Sequence, residues 1–222
     1  LLAGDGDQIA FYARRLTDRQ FPLWLEDRNL LAVRRLGGFQ SGLHVTAGDL
    51  DGDGDPDLVI GTRSGELFSY ENVGTAQAPA FRSPPGPLLP TPQRAFAAPA
   101  LVDVDGDGDL DLVVGGREGR LEWIENTGSA KQAKWTPRSL FFGSVDVGSL
   151  SVPLFADLDG DGDLDLLVGN SLGNVALFEN VGTARAPEYV LRTVRFANLQ
   201  VPNNAAPAFF PWNPKGPPDL VI

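Results

Sequence analysis

The chain has 222 residues and no cysteine, which allows one substantial domain with its own core and excludes disulfides and thiolate-held metals. Glycine (26) and proline (18) are abundant, favouring short strands and tight turns, and no apolar run of about 18 residues offers a membrane span. The formal net charge is −11, yet 15 of the 29 acidic residues lie in three short segments; the other 14 face 18 lysines and arginines, so a mildly basic body carries three intensely acidic spots.

The chain begins at Leu1 rather than methionine and reads as a processed or truncated N-terminus, with no visible signal peptide. Asp7 to Ala13 forms a first predicted strand. Arg14, Arg15, Arg19, Arg28, Arg34 and Arg35 follow, spread over turns as ordinary surface charge rather than a nucleic-acid stripe, in keeping with a pI near 4.5. Trp24 also falls in this stretch. His44, the single histidine, has no nucleophile or orienting partner in the sequence and reads as structural.

Next comes Asp49-Leu-Asp-Gly-Asp-Gly-Asp-Pro-Asp57, running into the apolar Leu58-Val-Ile-Gly61, a short buried strand. Gly65 leads a further strand, Glu66 to Asn72; a turn through Gly74 follows, and Phe81 opens a fourth strand. The proline-rich Pro84 to Pro92 reads as a loop. The whole pattern then returns after 54 residues. Its acidic segment is Asp103-Val-Asp-Gly-Asp-Gly-Asp-Leu-Asp111, and Leu112 to Gly115, Gly119 to Asn126, Gly128 and Trp135 keep register. It returns again after 54 more as Asp157-Leu-Asp-Gly-Asp-Gly-Asp-Leu-Asp165, Leu166 to Gly169, Gly173 to Asn180, Gly182 and Tyr189. A fourth, degraded copy ends the chain: Ala206 to Phe210 and Asp219 to Ile222 match the strands on either side of the loop, but Pro211 to Pro218 has lost its acids. Lys215 stands where the third carboxylate belongs, and Trp212 has no tryptophan counterpart.

Four strands per unit at this period predict an all-β protein, a β-propeller of four blades of about four antiparallel strands. The repeats are residues 44–97, 98–151, 152–205, and 206–222 together with 1–43. The last blade is expected to be closed by both chain termini, since this removes two open sheet edges.

Alternating aspartates in a wrapping loop bring carboxylates to one centre, and glycines at the fourth and sixth positions permit the curvature. Calcium takes six to eight hard oxygens, so each segment is a candidate Ca2+ site, three in all. The expected donors are Asp49, Asp51, Asp53, the carbonyl of Asp55, and Asp57; then Asp103, Asp105, Asp107, the carbonyl of Asp109, and Asp111; then Asp157, Asp159, Asp161, the carbonyl of Asp163, and Asp165. An EF-hand shares this opening but needs glutamate at its twelfth position, here Ile60, Val114 or Val168.

These loops resemble the calcium loops of FG-GAP/VCBS repeats, found in integrin α-subunit propellers and many bacterial secreted proteins. The turn Glu71 to Pro79, repeated at Glu179 to Pro187, is also typical of them. The resemblance implies a calcium-stabilised, non-catalytic binding or scaffold module for protein interaction or adhesion, located outside the cell, on its surface or in the periplasm. It departs in having four units where seven are common. A carbohydrate-binding propeller and an accessory domain of a secreted enzyme are the alternatives. The expected partner is a protein or glycan rather than nucleic acid, and the chain reads as compatible with a segment of a larger protein or assembly. Trp24 and Trp212, which break the repeat, are the candidate ligand-binding residues.

Overall fold

A computed structural model of the chain describes residues 2–5, 8–15, 23–27, 43–76, 78–82, 86–90, 95–139, 142–210 and 219–222; before residue 43 it describes the backbone and its pairing. Three complete four-stranded antiparallel sheets form the centre. The first holds β4 (His44–Gly48), β5 (Asp57–Gly61), β6 (Leu67–Asn72) and β7 (Phe81–Arg82). The second holds β8 (Ala98–Val102), β9 (Asp111–Gly115), β10 (Glu122–Asn126) and β11 (Trp135–Ser139). The third holds β12 (Val152–Ala156), β13 (Asp165–Gly169), β14 (Val175–Asn180) and β15 (Tyr189–Thr193). Each is a simple meander, and register repeats with the sequence: His44 faces Gly61, Ala98 faces Gly115 and Val152 faces Gly169. Among the described residues, helix is confined to short 3-10 turns at Phe142–Ser144 and Phe196–Asn198. Among the described residues no helix is long and apolar enough to cross a membrane.

The sheets stack because their second strands are apolar on both faces. Alternate residues of a strand point oppositely. Val59 and Leu67 of the first sheet therefore meet Leu112, Val114 and Ile124 of the second. Val113 and Leu121 of the second point the other way and meet Leu166, Val168, Ala176 and Phe178 of the third. Leu167 and Val175 continue onward to Phe209 and Leu220. One core cluster thus lies in each gap between sheets. The proline-rich segment belongs to this packing, since Leu89 is buried in the first gap and the Leu88 amide donates to the Leu67 carbonyl at 2.6 Å.

The gaps are closed by a repeated backbone junction. The amides of Ala97, Ser151 and Ala205, each just before the next sheet's first strand, donate to the carbonyls of Thr62, Gly116 and Asn170 at 3.0, 3.0 and 2.9 Å. Approach is so close that a Cβ on Gly61, Gly115 or Gly169 would fall 2.2, 2.0 or 2.1 Å from the carbonyl oxygen of Ala97, Ser151 or Ala205. The residues just ahead, Phe96, Leu150 and Asn204, take left-handed φ values of 61°, 54° and 51°. Such values are uncommon for bulky side chains. The same strained turn at these three junctions gives the sheets they join the same relation to one another, a propeller-like arrangement.

The terminal sheets differ from expectation. β16 (Ala208–Phe210) and β17 (Asp219–Val221) pair with each other in the register of the other sheets. β1 (Leu2–Asp5), β2 (Gln8–Arg15) and β3 (Leu23–Asp27) form a separate three-stranded sheet. Residues 8–15 and 219–221 therefore lie in different sheets, and the anticipated blade shared by both termini is not formed among the described residues. The reason is a match that the reading from Asp7 onward missed. Leu1-Leu2-Ala3-Gly4 repeats Leu58-Val59-Ile60-Gly61, and Gly4 faces Ile9 as Gly61 faces Leu67. Both chain ends thus bring a strand of the second-strand pattern, and among the described residues each pairs within its own sheet.

Candidate metal centres

Each acidic loop joins the first and second strands of a complete sheet, at the same end of all three. Its fold is dictated by its own carboxylates. Asp103 accepts from the amides of Gly106 at 2.7 Å and Gly108 at 3.1 Å, wrapping the loop around its first residue. Asp49 and Asp157 do the same with Gly52 and Gly54, and with Gly160 and Gly162. This wrap needs left-handed backbone at both glycines, with φ of 71° at Gly106 and 95° at Gly108. Asp105 and Asp107 each accept from the amide two residues on, as do their counterparts in the other loops.

The ninth position behaves differently. Asp57, Asp111 and Asp165 are buried, and both oxygens of each are engaged. One accepts from the amide at the loop's second position, Leu50, Val104 or Leu158. The other accepts from the amide of Asn72, Asn126 or Asn180 at 2.7, 2.7 and 2.9 Å. This aspartate therefore ties loop, second strand and third strand together. The asparagines extend the tie: Asn126 Oδ1 accepts from Gly128 and Lys134, holding the next hairpin, and Asn72 and Asn180 repeat the arrangement. The sequence carried these asparagines in register, but their supporting role becomes visible only across strands.

Carboxylate oxygens converge as the spacing requires. Those of Asp49, Asp51 and Asp57, of Asp103, Asp105 and Asp107, and of Asp157, Asp159 and Asp161 lie within 4.8 Å of one another in each loop. The seventh position, expected to act through its carbonyl, adds something further. Asp109 is buried, and Oδ1 of Asp109 and of Asp163 have no hydrogen-bond partner. In the first loop the corresponding Asp55 Oδ1 instead accepts from the Ala76 amide at 2.6 Å. Buried carboxylate oxygens without a donor are costly. Burial pushes Asp57 and Asp109 above the ordinary carboxylate range and Asp111 up to about 6; the charges of Asp107, Asp105 and Asp103 add to the rise at Asp109. An all-oxygen, anionic donor set with unmatched buried oxygens fits a hard divalent cation and suits neither thiophilic metals nor an imidazole centre.

The loops also touch the following sheet. A Cβ on Gly52 would lie 2.8 Å from Cγ of Lys131, and one on Gly106 would lie 2.5 Å from Cγ of Arg185. Lys131 and Arg185 occupy the same place in successive repeats, so a basic stem lies across each of these two acidic loops. Glu71, Glu125 and Glu179, at the ends of the third strands, pair with Arg82, Arg138 and Arg192 on the fourth. These exposed pairs contribute little stability.

His44 starts β4 half-buried, and burial holds its imidazole below the usual histidine range. Trp24 lies in β3 opposite Arg14, its side chain outside the described residues. Trp212, Lys215 and the rest of the degraded fourth loop also fall outside them.

Repeated four-stranded antiparallel sheets, each with an acidic loop between its first two strands, define the class: an all-β repeat protein with propeller-like stacking. The chain belongs to the FG-GAP-like repeat family, which matches residues 49–114 and 103–168, together more than half of its length. It is also similar to integrin alpha-4 of Xenopus laevis, 26% identical over 181 residues, covering 72% of this chain and 18% of that protein. The chain thus spans less than a fifth of the length of that relative.

Proposed function

We propose that this chain is a calcium-stabilised interaction module acting outside the cytoplasm, its sheets serving as blades of a rigid β-propeller that presents a surface to a protein partner. It is a binding module rather than an enzyme. The observation that carries this reading is the threefold oxygen cluster, with one buried, unmatched oxygen of Asp109 and one of Asp163 beside two of its copies. Calcium would be held by Asp49, Asp51, Asp53, the Asp55 carbonyl and Asp57, and by the corresponding residues of the second and third loops. Bound there, it supplies the positive charge that the carboxylates of each loop lack. Similarity to an integrin α chain supports a protein-interaction or adhesion role, and abundant extracellular calcium suits sites of modest affinity.

Elemental analysis of calcium-equilibrated, desalted protein is expected to give a ratio near three, with chelator lowering the melting temperature. At a hundredfold excess over its dissociation constant, each ion adds about 2.7 kcal/mol. A ratio near zero, or melting indifferent to chelator, overturns the reading.

A further inference from the structure

The first strands of neighbouring complete sheets lie beside one another, which leaves the fourth strand of each as its open edge among the described residues. Such an edge offers unpaired amides and carbonyls to any extended chain. Two of the three edges are blunted. β7 is only two residues long, Phe81–Arg82, and β11 carries Pro137, which has no amide to donate. β15, Tyr189–Thr193, is five residues long and free of proline. Leu191 stands one period after Pro137 and keeps its register, facing Phe178 as Pro137 faces Ile124. The third sheet thus lacks the guard that its neighbour carries.

The hairpin determines which groups face outward. The Val181 amide donates to the Glu188 carbonyl at 2.9 Å, so the Glu188 main chain is turned towards β14. Antiparallel pairing alternates, and Val190, opposite Glu179, is turned the same way. Tyr189 and Leu191 therefore present their amides and carbonyls away from the sheet. Apolar side chains accompany them: Val190 is 36% exposed, Leu191 49% and Val194, just beyond, 60%. Where β15 has Val190 and Leu191, β11 has Thr136 and Pro137.

The residues of this edge select its occupant, because they are complementary to themselves. Antiparallel pairing about a twofold axis at Val190 sets Val190 against Val190 of a second copy, Tyr189 against Leu191, and Glu188 against Arg192. Tyr189 and Leu191 are the residues with outward groups, so this register lets them exchange both hydrogen bonds. Glu188 and Arg192 are exposed and meet twice with opposite charge. Arg192 already bonds the Glu179 carboxylate at 3.0 and 2.7 Å, which keeps its guanidinium on the face that Val190 and Glu188 share. Centring the axis on Leu191 instead would leave Glu188 opposite Val194 and lose the charge match. We propose that β15 is a homodimerisation edge, through which two copies of the chain join their third sheets into one continuous sheet centred on Val190. No residue of this edge is an expected calcium donor, so the pairing goes beyond calcium stabilisation and the two readings fail separately.

Sedimentation velocity and light scattering of the intact chain in calcium-containing buffer test the pairing from about 10 µM to about 1 mM, a range suited to an interface at the small end of specific contacts. A reversible monomer–dimer equilibrium is expected, with amide exchange at Tyr189 and Leu191 slowing as concentration rises. Leu191→Pro removes an outward amide and installs the residue that the second sheet already carries, so it should fold with near-native melting and stay monomeric. Glu188→Arg and Arg192→Glu each set like charges together twice and should each weaken the dimer roughly tenfold or more. Mixing these two variants puts opposite charges back at both ends, so the mixture should dimerise where each alone does not. Should Leu191→Pro melt well below the parent, the charge variants decide by themselves. The inference is overturned if the chain stays monomeric up to about 1 mM, if a well-folded Leu191→Pro dimerises as the parent does, if mixing restores nothing, or if assembly grows past the dimer, since a twofold pairing closes.

Discussion

Aspartates in these loops divide into two kinds by what their oxygens already touch. Asp51, Asp105 and Asp159 have one oxygen turned to a local amide and stay near the surface, so they can turn to an ion at little structural cost. Asp57, Asp111 and Asp165 are buried and locked by one loop amide and one amide of the third strand, so they hold the sheet as well as the loop. Without metal, ionising Asp111 in its buried setting costs on the order of 3 kcal/mol relative to the unfolded chain, from a pKa raised to about 6. Because the native state then holds this proton more tightly, calcium-free protein gains stability as pH falls from about 7, through the folded value of about 6, to about 4, where the unfolded carboxylate also takes up its proton. Asp57, Asp105 and Asp109, all pushed upward mainly by burial, act in the same direction. His44 opposes them, because a buried imidazole resists the charge it would take up in acid. With calcium bound the slope reverses, since protonated carboxylates release the ion. Melting curves against pH, with chelator and with calcium, should therefore run in opposite directions. Asp111→Asn should flatten the chelated curve; an unchanged slope in that variant would refute the assignment.

At the scale of elements, the glycine ending each second strand makes the contact between sheets possible. Gly115 ends β9 and lies against the Ser151 carbonyl, where an added Cβ would be 2.0 Å from oxygen. Backbone, not a flexible side chain, is in the way, and the Ser151 amide must keep its bond to Gly116. Gly115→Ala should cost about 1–3 kcal/mol, as overpacking does, lowering the melting temperature by several degrees. Gly86 has nothing within 4 Å of the corresponding position and a φ outside the left-handed range, so Gly86→Ala is the neutral control. Equal effects from the two substitutions would show that the junction is less tightly built than the geometry requires.

Across the whole molecule, the three acidic loops repeat along one stack, and three of the core clusters each lie between two neighbouring sheets. Repeat proteins of this kind distribute stability as unit terms plus nearest-neighbour terms. Asp53→Ala should therefore weaken calcium binding at the first loop and leave the other two intact. Isotherms would fall from three equivalents to two, while Gly106 and Arg185 retain their contact at the next junction. Simultaneous loss of all three equivalents would mean that the sites are one cooperative unit rather than three local ones.

Much of this arrangement was legible in the residues themselves. The 54-residue period located the three complete sheets and all three acidic loops, because a repeated strand meander needs the same apolar, glycine and aromatic positions each time. Glycines at the fourth and sixth loop positions announced the curvature for the same local reason: only their backbone takes a left-handed φ without strain. What sequence could not decide depends on contacts between segments far apart in the chain. The buried double tie of Asp111 to Val104 and Asn126 spans three elements. Trp123 looked like one more strand residue until Arg185 and Phe142 arrived beside it from the following turns. Separation of the terminal sheets followed from strand pairing. Leu2 to Asp5 had the residues to be a second strand, but only its register against Gln8 to Phe11 settled that the N-terminal sheet already contained one. Local pattern determines which elements form; which elements share a sheet, and what lies in the gaps between sheets, is set by long-range pairing and packing that no single segment contains.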